Sequence, residues 1–230
     1  MKSLESVGFT TERAAPKRRA LLSICGREKQ GKTHFALTAP GPIALIDMDI
    51  GTEGVIEKFT DKEIYYLDFK PPEDKVLAET DWERLVEGVS TVLEHNEIRS
   101  LIWDTATEGW ELLRMARFGK LSQVMPHQYG PVNAEWRRLI RKAYDSDVNL
   151  ILLHKMKKKY VNDKWNGTYE RSGFADIGFL AQCNAEVSRD AETGEFRCHV
   201  IDSRQNPDLA NVDLEGPMCN FETLLDLVFS

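Results

Sequence analysis

The sequence predicts an α/β domain with a mostly parallel central sheet flanked by helices and an antiparallel β-hairpin near the C-terminus. Three observations predict it. Short apolar runs of strand length alternate along the chain with stretches whose apolar residues recur at helical spacing. Strands separated by helices in this way are joined by crossovers, which makes the sheet mostly parallel. Near the C-terminus, runs at 183–190 and 195–202 flank a turn at Thr193-Gly194 and read as a hairpin that extends one edge. A chain of 230 residues with 42% apolar and 29% charged side chains supports one sizeable domain of this kind.

In order, residues 1–19 are polar, with Pro16 and a basic cluster, and are expected to form an N-terminal arm; 20–230 is then a single domain. The first strand is 20–25, and a helix begins by His34. Ile43 to Asp47, introduced by Gly41-Pro42, reads as a buried second strand. A short helix near 52–59 leads to a third strand, Ile64 to Leu67, and then to a loop at Pro71-Pro72. Trp82, Leu85, Val86, Val89 and Leu93 place an amphipathic helix at 81–95. Strand Ser100 to Asp104, helix 106–117, an irregular stretch from Phe118 to Gly130 and a helix from Val132 to about Asp145 follow. Val148 to His154 is the next apolar strand. Beyond it lie a polar segment, 155–172, a short helix near 173–181, the hairpin, and a helical pattern from Phe221 to Phe229. No internal repeat or low-complexity tract interrupts this order.

The first strand runs directly into Gly26-Arg-Glu-Lys-Gln-Gly-Lys32-Thr33, a complete G-x-x-x-x-G-K-T, and a helix follows. Strand, loop and helix in that order are what a phosphate-binding P-loop requires. Backbone N–H groups curl around the β-phosphate while Lys32 reaches the β- and γ-phosphates and the Thr33 hydroxyl ligates Mg²⁺. Gly26, Arg27, Glu28, Lys29, Gln30, Gly31, Lys32, Thr33 and His34 are therefore the expected nucleotide contacts, with ATP and Mg²⁺ as ligands. A second carboxylate must hold the metal's shell from the end of a neighbouring buried strand, and Leu101-Ile-Trp-Asp104 supplies Asp104.

Hydrolysis also needs a group that orients or deprotonates water. The strand 43–47 ends in Asp47-Met-Asp49-Ile-Gly-Thr-Glu53, and its carboxyl end shares the P-loop rim, so Asp49 is the first candidate, with Asp47 and Glu53 behind it. His154, at the end of the strand 148–153, is placed on the same rim, where a polar residue can respond to the γ-phosphate. The segment after it interleaves cations with rings: Lys155, Lys157, Lys158, Lys159, Tyr160, Lys164, Trp165 and Arg171. Cations for phosphates and rings for bases suit single-stranded nucleic acid.

A net charge of −7 argues against a surface that coats nucleic acid everywhere, so any such contact is local. Three basic stretches stand out: Arg13 to Arg19, Arg137 to Lys142 and Lys155 to Lys159. Cys25, Cys183, Cys198 and Cys219 form no C-x-x-C pair and read as reduced thiols. No apolar run reaches the length of a membrane span, and the N-terminus has no signal-peptide core, so no membrane contact is expected.

The order of GREKQGKT, ALIDMD, SLIWDTAT, HQYGPVNAEW and LILLHKMKKKY resembles a RecA-like ATPase core over about residues 20–205. More narrowly it resembles short phage-encoded AAA-type or RecA-like ATP-binding proteins, some of which act in single-strand annealing or recombination. That resemblance implies Lys32 and Thr33 as the Walker A pair and Asp104 as the Walker B acid. It implies Asp49 where these proteins place a catalytic glutamate, and His154 where they place a glutamine that couples ATP to DNA. Residues 118–130 and 155–172 match the two DNA-contacting loops, and Arg204 matches basic residues that reach a neighbour's nucleotide. Gly8-Phe9-Thr10-Thr11 is similar to a subunit-interface segment, except that Glu12 stands where a small residue is usual.

The implied protein is a cytoplasmic ATPase of a bacterial or phage-infected cell. It forms a homo-oligomer, ring or filament, and single-stranded DNA stimulates it during recombination, annealing or repair. Two alternatives remain at this point. A small-molecule P-loop kinase would carry an arginine-rich lid and an acceptor motif, whereas the basic segment here is dominated by lysine. A nucleotide-dependent switch or scaffold with little turnover is kept open by Asp49, a shorter arm than Glu.

Overall fold

Strands that are apolar at every position must be covered on both faces, and the positions of the helices answer that requirement. The computed structural model describes residues 3–12, 17–121 and 123–230. β1 (Leu21–Cys25), β2 (Ile43–Asp47), β4 (Ser100–Asp104) and β5 (Asn149–His154) are buried along their whole length. With β3 (Ile64–Asp68), β8 (Cys183–Arg189), β9 (Phe196–Ser203) and β10 (Asp213–Glu215) they form an eight-stranded sheet in the order β10-β9-β8-β1-β5-β4-β2-β3. Pairing is parallel from β3 across to β8. It turns antiparallel at β9 and β10, on the edge where the hairpin was expected.

Alternate side chains of each strand enter opposite cores. Leu21, Ala44, Ile46, Leu101, Trp103, Leu150 and Leu152 face α2 (Lys75–Glu94), α3 (Ala106–Phe118) and α4 (Tyr129–Arg141). Leu22, Ile24, Leu45, Ile102, Ile151 and Leu153 face α1 (Lys32–Leu37) and α6 (Phe221–Val228). The first core is rich in indole: Trp82, Trp103 and Trp110 all pack around Trp136, with ring centroids 5.1–6.1 Å away. Gly109 makes room for it, because a Cβ there would stand 2.3 Å from the Trp103 ring.

Several boundaries differ from the sequence reading. The expected helix near 52–59 is only a 3-10 turn, Ile56–Lys58. α2 starts at Lys75 and not at 81, because the Asp74 side chain accepts from the Leu77 N–H at 2.9 Å and caps an extra, exposed turn. The polar segment 155–172 is not a loop. It is a second, two-stranded antiparallel sheet, β6 (Met156–Val161) and β7 (Lys164–Arg171). Asn162 and Asp163, at φ 50° and 60°, make its tight turn, the left-handed pair such hairpins prefer.

The short helix expected near 173–181 is α5 (Ile177–Leu180). The N-terminal boundary moves as well. Residues 3–12 are exposed throughout, and Arg13 to Pro16 lie outside the described residues. Lys17 and Arg19 are already tied to the body, Lys17 to Asp147 at 3.1 Å and Arg19 to the Tyr144 carbonyl at 2.8 Å.

Candidate functional site

The loop between β1 and α1 opens into a cavity of about 860 Å³ at the carboxyl ends of the parallel strands. Its tight course depends on two glycines. At Gly26 a Cβ would lie 2.4 Å from the Val187 carbonyl of β8, and at Gly31 it would lie 2.4 Å from the Phe196 ring. Gly31 also has φ +93°, which side-chain-bearing residues resist. Gln30 fastens the loop sideways by accepting from the Arg189 N–H at 2.8 Å. Gly26, Arg27, Glu28, Lys29, Lys32 and Thr33 all line the cavity. His34 lines it too, stacked on Phe196 at 5.2 Å and edge-on to Phe59 at 5.1 Å.

Thr33 and Asp104 meet at the floor. The Thr33 hydroxyl donates to Asp104 Oδ2 at 2.6 Å. The contact follows from parity, since Asp104 continues the face of Ile102 toward α1. Burial pushes the Asp104 carboxyl up to about 6, with the Thr33 hydrogen bond opposing it. Lys32 Nζ donates to the Arg27 carbonyl at 3.0 Å. Burial holds its ammonium below the ordinary lysine range, against the pull of Asp104 and Asp49. One hydroxyl and one carboxylate are hard oxygen donors, few in number, and that suits Mg²⁺, which keeps waters and phosphate oxygens in its shell. Among the described residues there is no cluster of three or more His, Cys, Asp or Glu that would hold a metal unaided.

The three acidic candidates after β2 have separate surroundings. Asp47 is buried and occupied: it accepts from the Thr52 hydroxyl at 2.5 Å, the Tyr66 hydroxyl at 3.0 Å and the Asp49 N–H at 3.1 Å. Asp49 and Glu53 line the cavity. Asp49 Oδ2 stands 3.3 Å from Lys155 Nζ, which also donates to Glu108 Oε1 at 2.7 Å. Lys155 therefore lines the P-loop cavity, where the sequence reading gave it to nucleic acid. Burial draws its ammonium down, but Glu108 and Asp49 outweigh that and hold it above the ordinary value.

The structure does not bring His154 to the cavity. It continues the face of Leu150 and Leu152, away from α1, and lies fully buried beneath Gly173 near Thr107. Neither ring nitrogen has a hydrogen-bond partner among the described residues. Burial, with Arg171 nearby, drives its pKa down to about 3, so it is neutral; the adjacent Ser172 backbone opposes this without reaching bonding geometry.

Arg171 also leaves the proposed nucleic-acid set. Its guanidinium turns inward to the Ser23 hydroxyl at 3.0 Å and Asn184 Oδ1 at 2.9 Å, and anchors β7 to the main sheet. Arg204 sits at the opposite rim, where β1 begins. It donates to the Tyr144 hydroxyl at 3.2 Å and to the Phe179 carbonyl, and so is engaged within its own chain. The stretch 118–130 runs from the end of α3 through a largely exposed connection and a 3-10 turn, Pro126–Gln128, into α4, which begins at Tyr129 and not at Val132; Ser122 within it lies outside the described residues.

The rest of the basic set stands on the hairpin. Tyr160 pairs with Trp165 across it, Lys158 Nζ lies 5.0 Å over the Trp165 ring, and both rings are exposed. Lys157, Lys159 and Lys164 are exposed on the same hairpin, Lys157 at 3.5 Å from Glu170. Sequence reasoning missed four site residues. Tyr169 lines the cavity from β7 and carries Arg27 at 4.9 Å over its ring, which ties the hairpin to the P-loop. Phe196 walls the loop from β9. Glu108 holds Lys155, and Thr107 accepts from the Lys155 N–H at 3.0 Å while donating to the Ser172 carbonyl at 3.1 Å. The Thr105-x-x-Glu108 cap, with Thr105 accepting from the Glu108 N–H at 3.3 Å, was the available signal for Glu108.

A family model described as AAA domain (AAA_24) matches residues 18–175. That span runs from the approach to β1 through β7 and contains the P-loop, Asp104, Asp49 and Lys155, while Phe196 and Arg204 lie beyond it. A search of the curated proteins finds no match. Among the described residues, no helix is long and apolar enough to cross a membrane.

Proposed function

The chain belongs to this AAA-domain family of P-loop ATPases, and from that membership we propose that it hydrolyses Mg²⁺-ATP and couples hydrolysis to single-stranded DNA held on the β6–β7 hairpin. The observation that carries the nucleotide half is the bond between Thr33 and Asp104 at 2.6 Å, on the floor of a cavity walled by the P-loop. In this reading Lys32 and the loop amides take the phosphates, and Thr33 with Asp104 hold Mg²⁺. The metal, when bound, neutralises charge on the β- and γ-oxygens. Asp49 accepts a hydrogen bond from the attacking water and aims it at the γ-phosphorus.

The DNA half is supported by position and chemistry. Lys157, Lys158, Lys159 and Lys164 are exposed on the same hairpin as the exposed rings of Tyr160 and Trp165, and Lys158 lies over the Trp165 ring; the hairpin begins one residue after Lys155. Assembly into a homo-oligomer belongs to the same proposal; its support is the segment 3–12, where Leu4, Val7 and Phe9 are exposed. Recombination, annealing or repair of the phage type is the process this combination serves best. A nucleotide switch with slow turnover is the second reading, favoured by the engagement of Asp49 with Lys155.

An ATPase assay with and without single-stranded DNA, at two salt concentrations and alongside a solution mass, tests the proposal. DNA is expected to raise the rate several-fold, with binding that weakens as salt rises. Trp165→Ala should remove about 1–3 kcal/mol of DNA affinity, the worth of one stacked base, and leave the DNA-free rate unchanged. A rate indifferent to DNA, together with no salt-sensitive binding, removes the DNA half. Phosphate transfer from ATP to a nucleoside would replace it with a kinase.

A further inference from the structure

Lys155 occupies an unusual junction. Its backbone is pinned on both sides, the N–H to the Thr107 hydroxyl at 3.0 Å and the carbonyl to the Ser172 N–H at 2.8 Å. Its side chain is free to choose partners inside the cavity and lies between two carboxylates, Glu108 at 2.7 Å and Asp49 at 3.3 Å. Lys32, in the same cavity, donates to a carbonyl and not to a carboxylate. A cation held by two acids beside a phosphate site is a cation a phosphate can take over. The terminal phosphate of a triphosphate is a denser anion than either carboxylate, and a diphosphate does not supply it.

We propose that Lys155 is the chain's own ligand for the third phosphate, and that in moving to it Lys155 releases Asp49 to hold water. The inference rests on reading the cavity as an ATP site. With no triphosphate bound, Asp49 Oδ2 is paired with the ammonium; with one bound, the ammonium leaves and that oxygen is open. Hydrolysis removes the phosphate that drew Lys155 away, and the original pairs re-form.

The test compares the affinity of the full chain for ADP and for a non-hydrolysable ATP analogue, with turnover measured in parallel. Lys155→Met is expected to weaken the analogue about tenfold, the worth of one charge-assisted hydrogen bond, while ADP affinity stays within about twofold. Turnover should fall by at least as much. Lys155→Arg, which keeps the charge, should restore most of the preference for the analogue. Glu108→Gln should act in the opposite direction and tighten the analogue a few-fold, because one competitor for the ammonium is weakened. Equal losses for ADP and analogue in Lys155→Met would make Lys155 merely structural and overturn the proposal, as would weaker analogue binding in Glu108→Gln. If the unaltered chain binds neither nucleotide, the ATP-site reading fails and this inference with it. If it binds both and Lys155→Met changes neither affinity, only this inference fails.

Discussion

Replacing Asp104 with Asn is expected to lower ATP turnover by about a hundredfold or more, the scale set by removing a preorganised electrostatic group, while making the nucleotide-free protein more stable at neutral pH. The two effects share one cause. Asp104 is 2% exposed, and burial pushes its carboxyl up to about 6. In the unfolded chain the same carboxyl ionises near its ordinary 3.8. Between those values the folded state binds more protons than the unfolded state, so stability falls as pH rises through that window and levels off above it. At pH 7 the folded chain therefore carries an ionised, buried carboxylate at a cost on the order of 2–3 kcal/mol, at about 1.4 kcal/mol per pKa unit. Asn keeps an oxygen for Thr33 and has no charge to desolvate. Thermal melts without Mg²⁺ should show the variant melting higher at pH 7, with the gap closing by pH 4. A variant that melts lower than the parent at pH 7 would show that the carboxylate stabilises the fold. Adding Mg²⁺ and nucleotide should stabilise the parent far more than the variant, because ligand binding to the native state is what the variant loses.

Lys32→Ala should lower ATP affinity by about two orders of magnitude, a loss in the range of a buried charge pair deprived of one partner. The Lys32 ammonium is already partly desolvated, which is why burial holds its pKa below the ordinary value. Phosphate oxygens that meet it do so with less water between, and the attraction is correspondingly larger than at a surface lysine. Titration with a fluorescent ATP analogue reads the loss, and an unchanged far-ultraviolet circular dichroism spectrum shows that the sheet has survived. A variant that binds within a few-fold of the parent would place the phosphates elsewhere in the cavity.

The parallel strands were legible because each is a short run with punctuation at its ends. Ile43 to Asp47 follows Gly41-Pro42, and Ser100 to Asp104 ends in a carboxylate before a helix; both have the bounds read from sequence. Burial on both faces left the runs without alternation, and the runs themselves were the signal. The hairpin was not legible for the opposite reason. Most of β6 and the first part of β7 are exposed, so no apolar–polar alternation marks either strand. Its one local sign was Asn162-Asp163, a pair suited to a two-residue turn.

At the site, parity separates the residues that meet from those that do not. Asp104 faces α1 and meets Thr33; His154 continues the other face and is sealed under Gly173. Both end a buried strand at the same rim, and the sequence reading placed both beside the P-loop. Lys155, one residue further on, lies at the cavity instead. Arg171 read as a nucleic-acid contact from its place in the basic segment, and Arg204 as a residue reaching a neighbour from the resemblance; tertiary partners turn Arg171 inward to Ser23 and Asn184, whereas Arg204 stays exposed while it bonds Tyr144 and Phe179 of its own chain.

The indole cluster on the α2–α4 face has an optical consequence. Of the 5 tryptophans in the chain, Trp82, Trp103, Trp110 and Trp136 are 0–7% exposed, whereas Trp165, on the hairpin, is 48% exposed. A dissolved quencher such as iodide therefore reaches one emitter and is shut out from the other four. The sheltered group includes Trp103, the residue before Asp104, whose indole N–H donates to the Met48 sulfur at 3.0 Å. Light from the interior thus includes a report on the strand that ends in Asp104, and light that iodide extinguishes reports on the hairpin. Without any label, the molecule sends two separable signals from the two ends of the coupling it is proposed to perform.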